Sequence, residues 1–394
     1  MIEKLHVKWF KSIEDVEFEP SLVNVMIGAN GSGKSNLLEA IGVLSAAAAG
    51  RIDDQSLLRR GVRPGVPALY KCSFRDRKGP LHIYFGAWSR ASSYEVTLFN
   101  PIDDPFPAWR YHTEKLENDS VRIVGRSHRG DKKLNPEAGL AALKAVEMSM
   151  EDDALRLLQD LNGFAIFTPN TPTLRGIAPD TQQREPVGLS GGQLSRAVSD
   201  ILKQRKNSEH SVNVCREALS LIDWATSYNS ARASSLPLSS SAGATESVIR
   251  FEDRYMHHSR ATLSGHDASE GALYVLFHAV LATHENTPLI CAVDNADHAL
   301  NPRLARGLFS HICRWYLGLP DSRQVFLTTH NPLTLDGLPL QDDRVRLFVV
   351  SRTQKGRTVV KRIVLDDKLK KLADSGWSLS RLWVMGHIGG VANV

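Results

Sequence analysis

The sequence of 394 residues contains few cysteines, no long apolar run and little excess charge of either sign. None of the four cysteines belongs to a CxxC pair, so neither a zinc site nor a disulfide framework is expected, and the thiols are predicted to be reduced. The longest apolar stretch, residues 41–49, is interrupted by Gly42 and Ser45 and is far too short to cross a bilayer. Basic and acidic residues number 48 and 43, an excess that permits a nucleic-acid partner without indicating one.

The opening residues also lack the apolar core of a signal peptide, because charged side chains occur at Glu3, Lys4, Lys8 and Lys11. We therefore expect a soluble cytoplasmic protein with no membrane partner. No internal repeat or heptad run is present, which argues against a long coiled coil. The hydrophobic and charged fractions, 42% and 23%, are typical of globular proteins and exclude a mainly disordered or fibrous chain.

Apolar patterning gives both ends of the chain an α/β character. Near the start it predicts a half-buried hairpin in the first twenty residues, a buried strand over 22–27 and a helix over 36–49. In the last third, strands are predicted at 248–251, 289–293, 324–328, 345–350 and 359–364, and helices at 271–283 and 302–317.

These two ends are expected to form a single sheet. The predicted core comprises residues 1–50 and 250–394, and residues 51–249 are predicted to be an inserted β-rich and helical lobe. Within that lobe, residues 136–161 have apolar side chains at helical spacings. The Ser- and Ala-rich residues 229–246 are predicted to form a flexible loop.

A glycine-rich loop provides the clearest functional signal. Residues 28–35, GANGSGKS, fit the GxxxxGK[ST] pattern without a mismatch, after an apolar run and before a predicted helix. Glycines allow successive backbone N–H groups to face phosphate oxygens, while Lys34 reaches the β and γ phosphates and Ser35 offers a hydroxyl to Mg²⁺. The predicted binding residues are Gly28, Asn30, Gly31, Ser32, Gly33, Lys34 and Ser35. The loop predicts binding of a nucleoside triphosphate, ATP, with Mg²⁺.

Two later apolar runs end in side chains that such a site needs. One run, residues 288–293, is followed by Asp294, a carboxylate of the kind that holds Mg²⁺ in P-loop proteins. The other, within QVFLTTHNP, ends in His330. A Leu-Asn-Pro segment opens the helix between the two runs. A Ser-Glu-Gly segment, residues 269–271, opens a predicted helix 23 to 25 residues before Asp294.

This order of motifs resembles the ABC-type ATPase heads, and within them the RecF/SMC-like branch and especially the overcoming-lysogenization-type AAA ATPases of bacterial defence systems. The opening residues 5–12, LHVKWFKS, resemble the start of that branch. The closing residues 382–391 resemble the tails of small members encoded beside an unrelated partner gene. The resemblance implies an α/β P-loop NTPase: an ABC-type ATPase head with a mixed sheet, an N-terminal β-hairpin lobe and a largely helical insertion.

The resemblance also implies residue roles. Asp294 and Ser35 would hold Mg²⁺, and His330 would sense the γ-phosphate. Further nucleotide contacts are expected from Lys11, Ser12 and Asn36. Contacts to a γ-phosphate bound by a second subunit are expected from Ser269, Glu270 and Gly271. The expected assembly is therefore an ATP-dependent homodimer or a higher oligomer.

A second candidate for the signature loop lies upstream. Residues 189–193 read LSGGQ, the ABC signature, but they begin 105 residues before Asp294, whereas a signature helix normally runs directly into the acidic strand. A serine and two glycines before a helix are also a common capping arrangement. We favour Ser269 over Ser190, and separate mutation of the two serines would decide.

The residue after Asp294 departs from the family pattern. Asn295 stands where most such heads carry a glutamate that polarises the attacking water. An amide can orient water but cannot accept its proton. Either hydrolysis is slow and leaves a long-lived ATP-bound dimer, or Asp297 takes over as the base. We favour the slow switch.

The carboxyl-terminal residues favour a separate effector. Only 64 residues follow His330, and they lack the clustered acidic ligands of a Toprim nuclease. The expected function is thus an ATPase switch or sensor in an anti-phage defence complex whose effector is another subunit. The alternative is a RecF/SMC-like DNA repair ATPase, in which basic residues 126–133 or 368–371 would contact DNA, although solvated segments are the favoured reading. A transporter subunit is the weakest candidate.

Overall fold

The computed structural model describes residues 1–77, 79–127, 134–149, 151–204, 208–236, 238 and 246–389, without the side chains of 368, 370, 373 and 374. Its strands are β1 Lys4–Phe10, β2 Ile13–Phe18, β3 Val23–Ile27, β4 His82–Trp88, β5 Ser92–Phe99, β6 Arg110–Asn118, β7 Val121–Arg126, β8 Ala165–Phe167, β9 Ala225–Arg232, β10 Ser247–Asp253, β11 Thr262–Ser264, β12 Ile290–Val293, β13 Gln324–Thr329, β14 Val345–Arg352 and β15 Thr358–Ile363. Its α-helices are α1 Lys34–Ala48, α2 Asp54–Leu58, α3 Pro67–Tyr70, α4 Leu140–Lys144, α5 Asp153–Gly163, α6 Thr171–Leu174, α7 Leu194–Gln204, α8 Glu209–Leu221, α9 Glu270–Thr283, α10 Pro302–Leu317, α11 Asp367–Asp374 and α12 Leu379–Val384.

The central sheet has the strand order β15-β14-β3-β13-β12-β8. All neighbours in it pair in parallel except β15, which is antiparallel to β14. Every residue of β3, β12 and β13 is buried, as expected for parallel strands covered on both faces. The strands and helices predicted in the last third of the chain are confirmed, with small shifts of their ends.

Two hydrophobic clusters lie on opposite faces of this sheet. In β13, Val325 and Leu327 join the cluster formed with α7 to α10, whereas Phe326 joins the cluster formed with α1 and α5. Alternate residues enter opposite clusters because side chains alternate across a strand. The central sheet is therefore covered by α9 and α10 on one face and by α1 on the other.

The predicted amino-terminal hairpin, β1 with β2, is the edge of a larger antiparallel sheet. That sheet has the order β2-β1-β4-β5-β6-β7, so it continues into the inserted region. Inward residues of β1, Leu5 and Val7, are buried against α1, while His6 and Lys8 face outward. Strand β6 is an element that the sequence did not predict, because its sequence, RYHTEKLEN, is mostly polar.

Strand pairing crosses the predicted division of the chain. Strand β4, from the range 51–249, pairs with β1, and β8 from the same range completes the central sheet beside β12. A third sheet, β11-β10-β9, packs with α7 and α8. The division into a core of residues 1–50 and 250–394 and an inserted lobe of residues 51–249 stays a prediction. Two of the sheets contain strands from both ranges.

The predicted flexible loop was wrong at its start. Residues 229–232 end β9 and pair with β10; residues 237 and 239–245 of that loop lie outside the described residues.

The helical character predicted for residues 136–161 is found in two helices, α4 and α5. A carboxylate oxygen of Asp152 accepts from the backbone N–H of Ser149 at 2.9 Å, a local turn that competes with helix.

Arg126 does not belong to an exposed basic loop. It is buried, and Nη2 donates to the Ala138 carbonyl oxygen at 2.6 Å. The rest of the predicted basic loop, residues 128–133, lies outside the described residues, as do 390 and 391 at the end of the predicted family tail. Among the described helices, none is long and apolar enough to cross a membrane.

A buried amide ties the amino-terminal strand to the central sheet. The Gln324 side chain, fully buried at the start of β13, accepts from Ile2 N at 3.1 Å and donates to the carbonyl oxygens of Ile2 at 2.8 Å and Ser21 at 2.7 Å. Three backbone groups at the junction of the two sheets are therefore hydrogen-bonded to one side chain; the carbonyl oxygen of Ser21 also accepts from Asn24 Nδ2 at 2.7 Å.

We expect Gln324→Leu to destabilise the protein by roughly 2–4 kcal/mol, because it removes the side-chain partner of the Ile2 N–H and carbonyl groups at almost unchanged volume, while the Ser21 carbonyl oxygen keeps Asn24 Nδ2. Urea unfolding at pH 7.5 measures the change. Gln55→Leu, at an exposed glutamine of α2, is the matched control and should cost less than about 0.5 kcal/mol. Equal stability of the two variants would contradict the role given to Gln324.

Candidate nucleotide-binding site

The phosphate loop lies between β3 and α1, at the carboxyl edge of the central sheet. Two of its glycines are required by neighbouring atoms. A Cβ on Gly28 would lie 2.1 Å from the carbonyl oxygen of Val350, and Gly33 has φ +110° with a Cβ position 2.3 Å from Thr358 Oγ1. Strands β14 and β15 thus contact the phosphate loop directly, and only glycine fits at positions 28 and 33.

Lys34 and Ser32 supply polar groups inside the loop. The Lys34 side chain is buried, and Nζ donates to the carbonyl oxygens of Gly28 at 2.7 Å and Ala29 at 3.1 Å. Burial lowers the pKa of Lys34, while Asp294 and Asp297 act to raise it. Among the described residues, the buried Ser32 Oγ has no hydrogen-bond partner. A buried ammonium group and an unpaired hydroxyl within a ring of backbone amides fit a polyphosphate.

The predicted Mg²⁺ ligands, Ser35 and Asp294, lie together. Ser35 Oγ donates to Asp294 Oδ2 at 2.8 Å, and Thr328 Oγ1 donates to the other carboxylate oxygen. Asp294 follows β12, and its backbone N–H donates to the carbonyl oxygen of Phe167 at 2.9 Å. Hydroxyl and carboxylate oxygens are the donors that Mg²⁺ prefers, so this set fits that ion. Thr328, within the TTHNP motif, was not assigned a role from the sequence.

The three other predicted catalytic residues lie at the same edge. Asn295 is exposed and has φ +53°. Its backbone N–H donates to Thr328 Oγ1 at 2.8 Å. Asp297 is buried. Its Oδ1 has no hydrogen-bond partner in the part of the chain that the structure describes, and its Oδ2 lies 4.0 Å from Nδ1 of the half-exposed His330. The structure therefore brings Asp294, Asn295, Asp297 and His330 together beside the phosphate loop.

Lys11, Ser12 and Asn36 line one cavity of 960 Å³ next to the loop. Asn36 Nδ2 donates to Ser12 Oγ at 2.8 Å, and Ser12 Oγ lies 2.7 Å from Thr358 Oγ1. Lys11 has φ +50° and pairs with the carboxylate of Glu39. Burial lowers the pKa of Lys11, and Glu39 opposes that shift.

Glu39 is a site residue that sequence reasoning missed. It is 3% exposed on α1, and its two oxygens hold Lys11 and Arg63, with Arg63 Nε at 2.5 Å. Arg63 and Tyr70 line the same cavity. A glutamate within the apolar run LLEAI of α1 was the available signal, because an unpaired carboxylate is almost never fully buried.

The two candidate signature serines have different surroundings. Ser269 is exposed and directly precedes α9, which leads to β12. A Cβ on Gly271 would lie 2.9 Å from Leu304 Cδ2 of α10. In the LSGGQ loop, by contrast, the N–H groups of Ser190 and Gly192 donate to one carboxylate oxygen of Asp180, at 2.9 and 3.1 Å. That carboxylate occupies the donors a phosphate would need.

Residues 269–271 do not join the phosphate loop of their own chain. Within the part of the chain that the structure describes, Ser269, Glu270 and Gly271 make no hydrogen bond to residues 28–36. The same described residues contain no cluster of three histidine, cysteine, aspartate or glutamate side chains arranged for a metal ion.

The loop after Asp294 is hydrogen-bonded to a buried histidine, His278. His278, on α9, lies with Nε2 3.2 Å from the carbonyl oxygen of Ala296. Burial lowers the pKa of His278 to about 4, because a charged imidazole would be desolvated there. The neutral ring therefore carries its proton on Nε2 and donates it to Ala296, which holds the backbone between Asn295 and Asp297.

Known proteins match this chain in parts. Residues 23–141 match a family described as AAA domain, putative AbiEii toxin, Type IV TA system. Structural maintenance of chromosomes protein 3 of Saccharomyces cerevisiae is 25% identical over 227 residues, 53% of this chain and 18% of that protein. DNA replication and repair protein RecF of Renibacterium salmoninarum is 35% identical over 104 residues, 26% of this chain and 25% of that protein. RecF of Ligilactobacillus salivarius is 54% identical over 48 residues, 12% of each chain.

The chain spans a quarter or less of the length of these curated relatives. Among solved structures, an SMC head bound to the C-winged helix domain of ScpA is similar, with a TM-score of 0.52 and 16% identity over 94% of this chain and 99% of that one. The predicted fold, an ABC-type P-loop ATPase head with a mixed sheet, is confirmed. The matches to an AAA domain family and to RecF and SMC proteins each cover only part of this chain or of the relative, and the ATPase activity, the defence role and the residue roles stay predictions.

Acid titration tests the neutral state of His278. Between an ordinary unfolded pKa of about 6.5 and the folded value of about 4, the unfolded chain binds a proton that the folded chain does not. Stability should therefore fall as the pH falls through this window, by about 1.4 kcal/mol per pH unit and up to about 3 kcal/mol.

His278→Gln keeps an N–H donor for Ala296 but has no titrating group. Between pH 7 and 4.5 the variant should therefore lose less free energy of unfolding than the wild type, by up to about 3 kcal/mol. Urea unfolding across that range is the measurement. His298→Gln, at an exposed position of the same loop, serves as the control. Parallel pH profiles for the wild type and His278→Gln would be the contrary result.

Proposed function

We propose that this chain is a cytoplasmic ATP-dependent switch, which binds ATP with Mg²⁺ and associates with a second copy while ATP is bound. One observation carries the proposal: Ser35 and Thr328 converge on Asp294 directly beside the phosphate loop. Three separate elements, α1, β12 and β13, supply these side chains, so the cluster is a product of the fold rather than of one local motif.

Each polar group in the loop then has a task toward the triphosphate. Lys34 would exchange the carbonyl oxygens of Gly28 and Ala29 for phosphate oxygens, and Ser32 Oγ would gain the partner it lacks. Asp294 and Ser35 would hold Mg²⁺, which neutralises phosphate charge when bound. The amino-terminal end of α1 adds its positive dipole to the same place.

The adjoining cavity suits the base and ribose. It is lined by the cations of Lys11 and Arg63, the aromatic ring of Tyr70, and the hydrogen-bonding side chains of Ser12 and Asn36. Glu39 sets the positions of both cations, because it pairs with each of them from a buried place. A nucleotide is held at both ends in this arrangement, by the loop and by the cavity.

Hydrolysis is proposed to be slow. The exposed Asn295 amide can orient a water molecule but takes no proton from it. Asp297 is the second candidate for the base, supported by its buried oxygen without a partner and its position 4.0 Å from His330. Its burial at 5% exposure limits its approach to water, which favours the slow switch.

A second copy would complete the site through the surface that carries Ser269, Glu270 and Gly271. The exposed position of Ser269 at the start of α9 supports this arrangement, and Asp180 in the LSGGQ loop argues against Ser190. The proposed setting is a defence system in which a separate subunit is the effector; residues 23–141 match a family described as a putative AbiEii toxin of a type IV TA system. The RecF and SMC relatives support DNA repair as the alternative, and ATP-requiring, salt-sensitive DNA binding would favour it.

Association in the presence of ATP tests the assignment of the signature serine. We expect Ser269→Ala to weaken ATP-dependent dimerisation at least tenfold, because each dimer would lose two contacts to phosphate. Ser190→Ala is the matched control and should dimerise like the wild type. Sedimentation velocity with ATP, and with ADP as the blank, measures both. Loss of dimerisation in Ser190→Ala alone would reverse the assignment.

Turnover measurements test the role of Asn295. We expect the wild type to hydrolyse ATP at below roughly one per second, and Asn295→Glu to raise kcat roughly tenfold or more by supplying a general base. Asp297→Asn separates the alternatives, since it should leave the slow wild-type rate within about twofold. A wild-type rate of tens per second, abolished by Asp297→Asn, would instead make Asp297 the base.

A further inference from the structure

Trp224 lies in the connection between α8 and β9, within the inserted region. Its ring packs on Phe251 of β10, with ring centroids 5.2 Å apart. Its backbone carbonyl oxygen accepts from Arg254 N at 2.9 Å. The indole is therefore fixed from two sides, by packing and through its backbone.

The indole nitrogen points at Ser269. Trp224 Nε1 lies 3.2 Å from Ser269 Oγ, within hydrogen-bond distance. The Ser269 hydroxyl does not cap α9, and among the described residues it has no other hydrogen bond. The loop is held a second time by Arg175, whose Nη2 donates to the carbonyl oxygen of Ala268 at 3.1 Å.

The direction of the bond between Trp224 and Ser269 is not ambiguous. An indole N–H can only donate, so the serine oxygen accepts. Its own proton then remains available to another acceptor, and accepting one bond strengthens the donation of the next. An exposed serine in this state can donate to a ligand that accepts hydrogen bonds, such as a phosphate oxygen.

We propose that Trp224 is a positioning residue that presents the Ser269 hydroxyl as a donor to the γ-phosphate bound by a second copy of this chain. This inference rests on the proposed function, because it takes Ser269 as the signature serine. Trp224 itself would not touch the nucleotide. It would couple the β9–β10 sheet of the inserted region to the ATP-dependent contact, since a shift of that sheet moves the indole away from Ser269.

The test removes only the N–H group. Trp224→Phe keeps an aromatic ring against Phe251 but cannot donate to Ser269. We expect ATP-dependent dimerisation to weaken roughly 5- to 100-fold, since a dimer contains two such hydrogen bonds. The affinity of the isolated protomer for a fluorescent ATP analogue should be unchanged, because the phosphate loop is untouched. Trp383→Phe is the matched control, since the buried Nε1 of Trp383 has no hydrogen-bond partner among the residues that the structure describes.

The double variant Trp224→Phe/Ser269→Ala shows whether Trp224 acts through Ser269. We expect it to dimerise no more weakly than Ser269→Ala alone. An additional loss equal to that of Trp224→Phe in the wild-type background would mean that Trp224 acts through the fold, and would overturn the inference. Wild-type dimerisation of Trp224→Phe, with Ser269→Ala impaired, would also overturn it while leaving the proposed function intact. Normal dimerisation of Ser269→Ala would overturn the assignment of Ser269, and the inference with it.

Discussion

The candidate site depends on the parallel register of three strands, β3, β13 and β12. Met26 lies opposite Thr328, and Leu327 lies opposite Val293. In this register the residue after Val293, Asp294, comes beside the Thr328 hydroxyl, and both face the start of α1 at Ser35. Side chains alternate along a strand, so a slip of one residue would turn Thr328 to the other face and separate the three oxygens.

The sequence predicted the parts of the site that lie at the ends of buried apolar runs. The phosphate loop follows β3, Asp294 follows β12 and His330 follows β13, and each run is readable because parallel strands buried on both faces need apolar side chains at every position. The motifs and the local pattern therefore agree at these places. The same reasoning accounts for the confirmed helices α9 and α10, which connect those runs.

The strand pairings and hydrogen bonds between distant segments could not be predicted from apolar runs in the sequence. Strand β8 has only three residues, too short for a periodic signal, yet Phe167 of β8 accepts the backbone N–H of Asp294. Glu39, Gln324 and Trp224 are likewise single polar or amphipathic side chains whose partners lie elsewhere in the chain. Their importance comes from hydrogen bonds in the folded protein; the apolar run LLEAI marks Glu39 as unusual, but no pattern along the sequence identifies the partners of these side chains.

The position of β3 in the central sheet has a consequence for synthesis of the chain. Val23 is paired on one side with Val325 and on the other with Val345, about 300 residues later. The phosphate loop is thus translated about 300 residues before β13 and β14, and the strand that carries it has neither of these sheet neighbours until they have left the ribosome. The part of the sheet that positions the proposed nucleotide site can therefore form only after β13 and β14 have been synthesised.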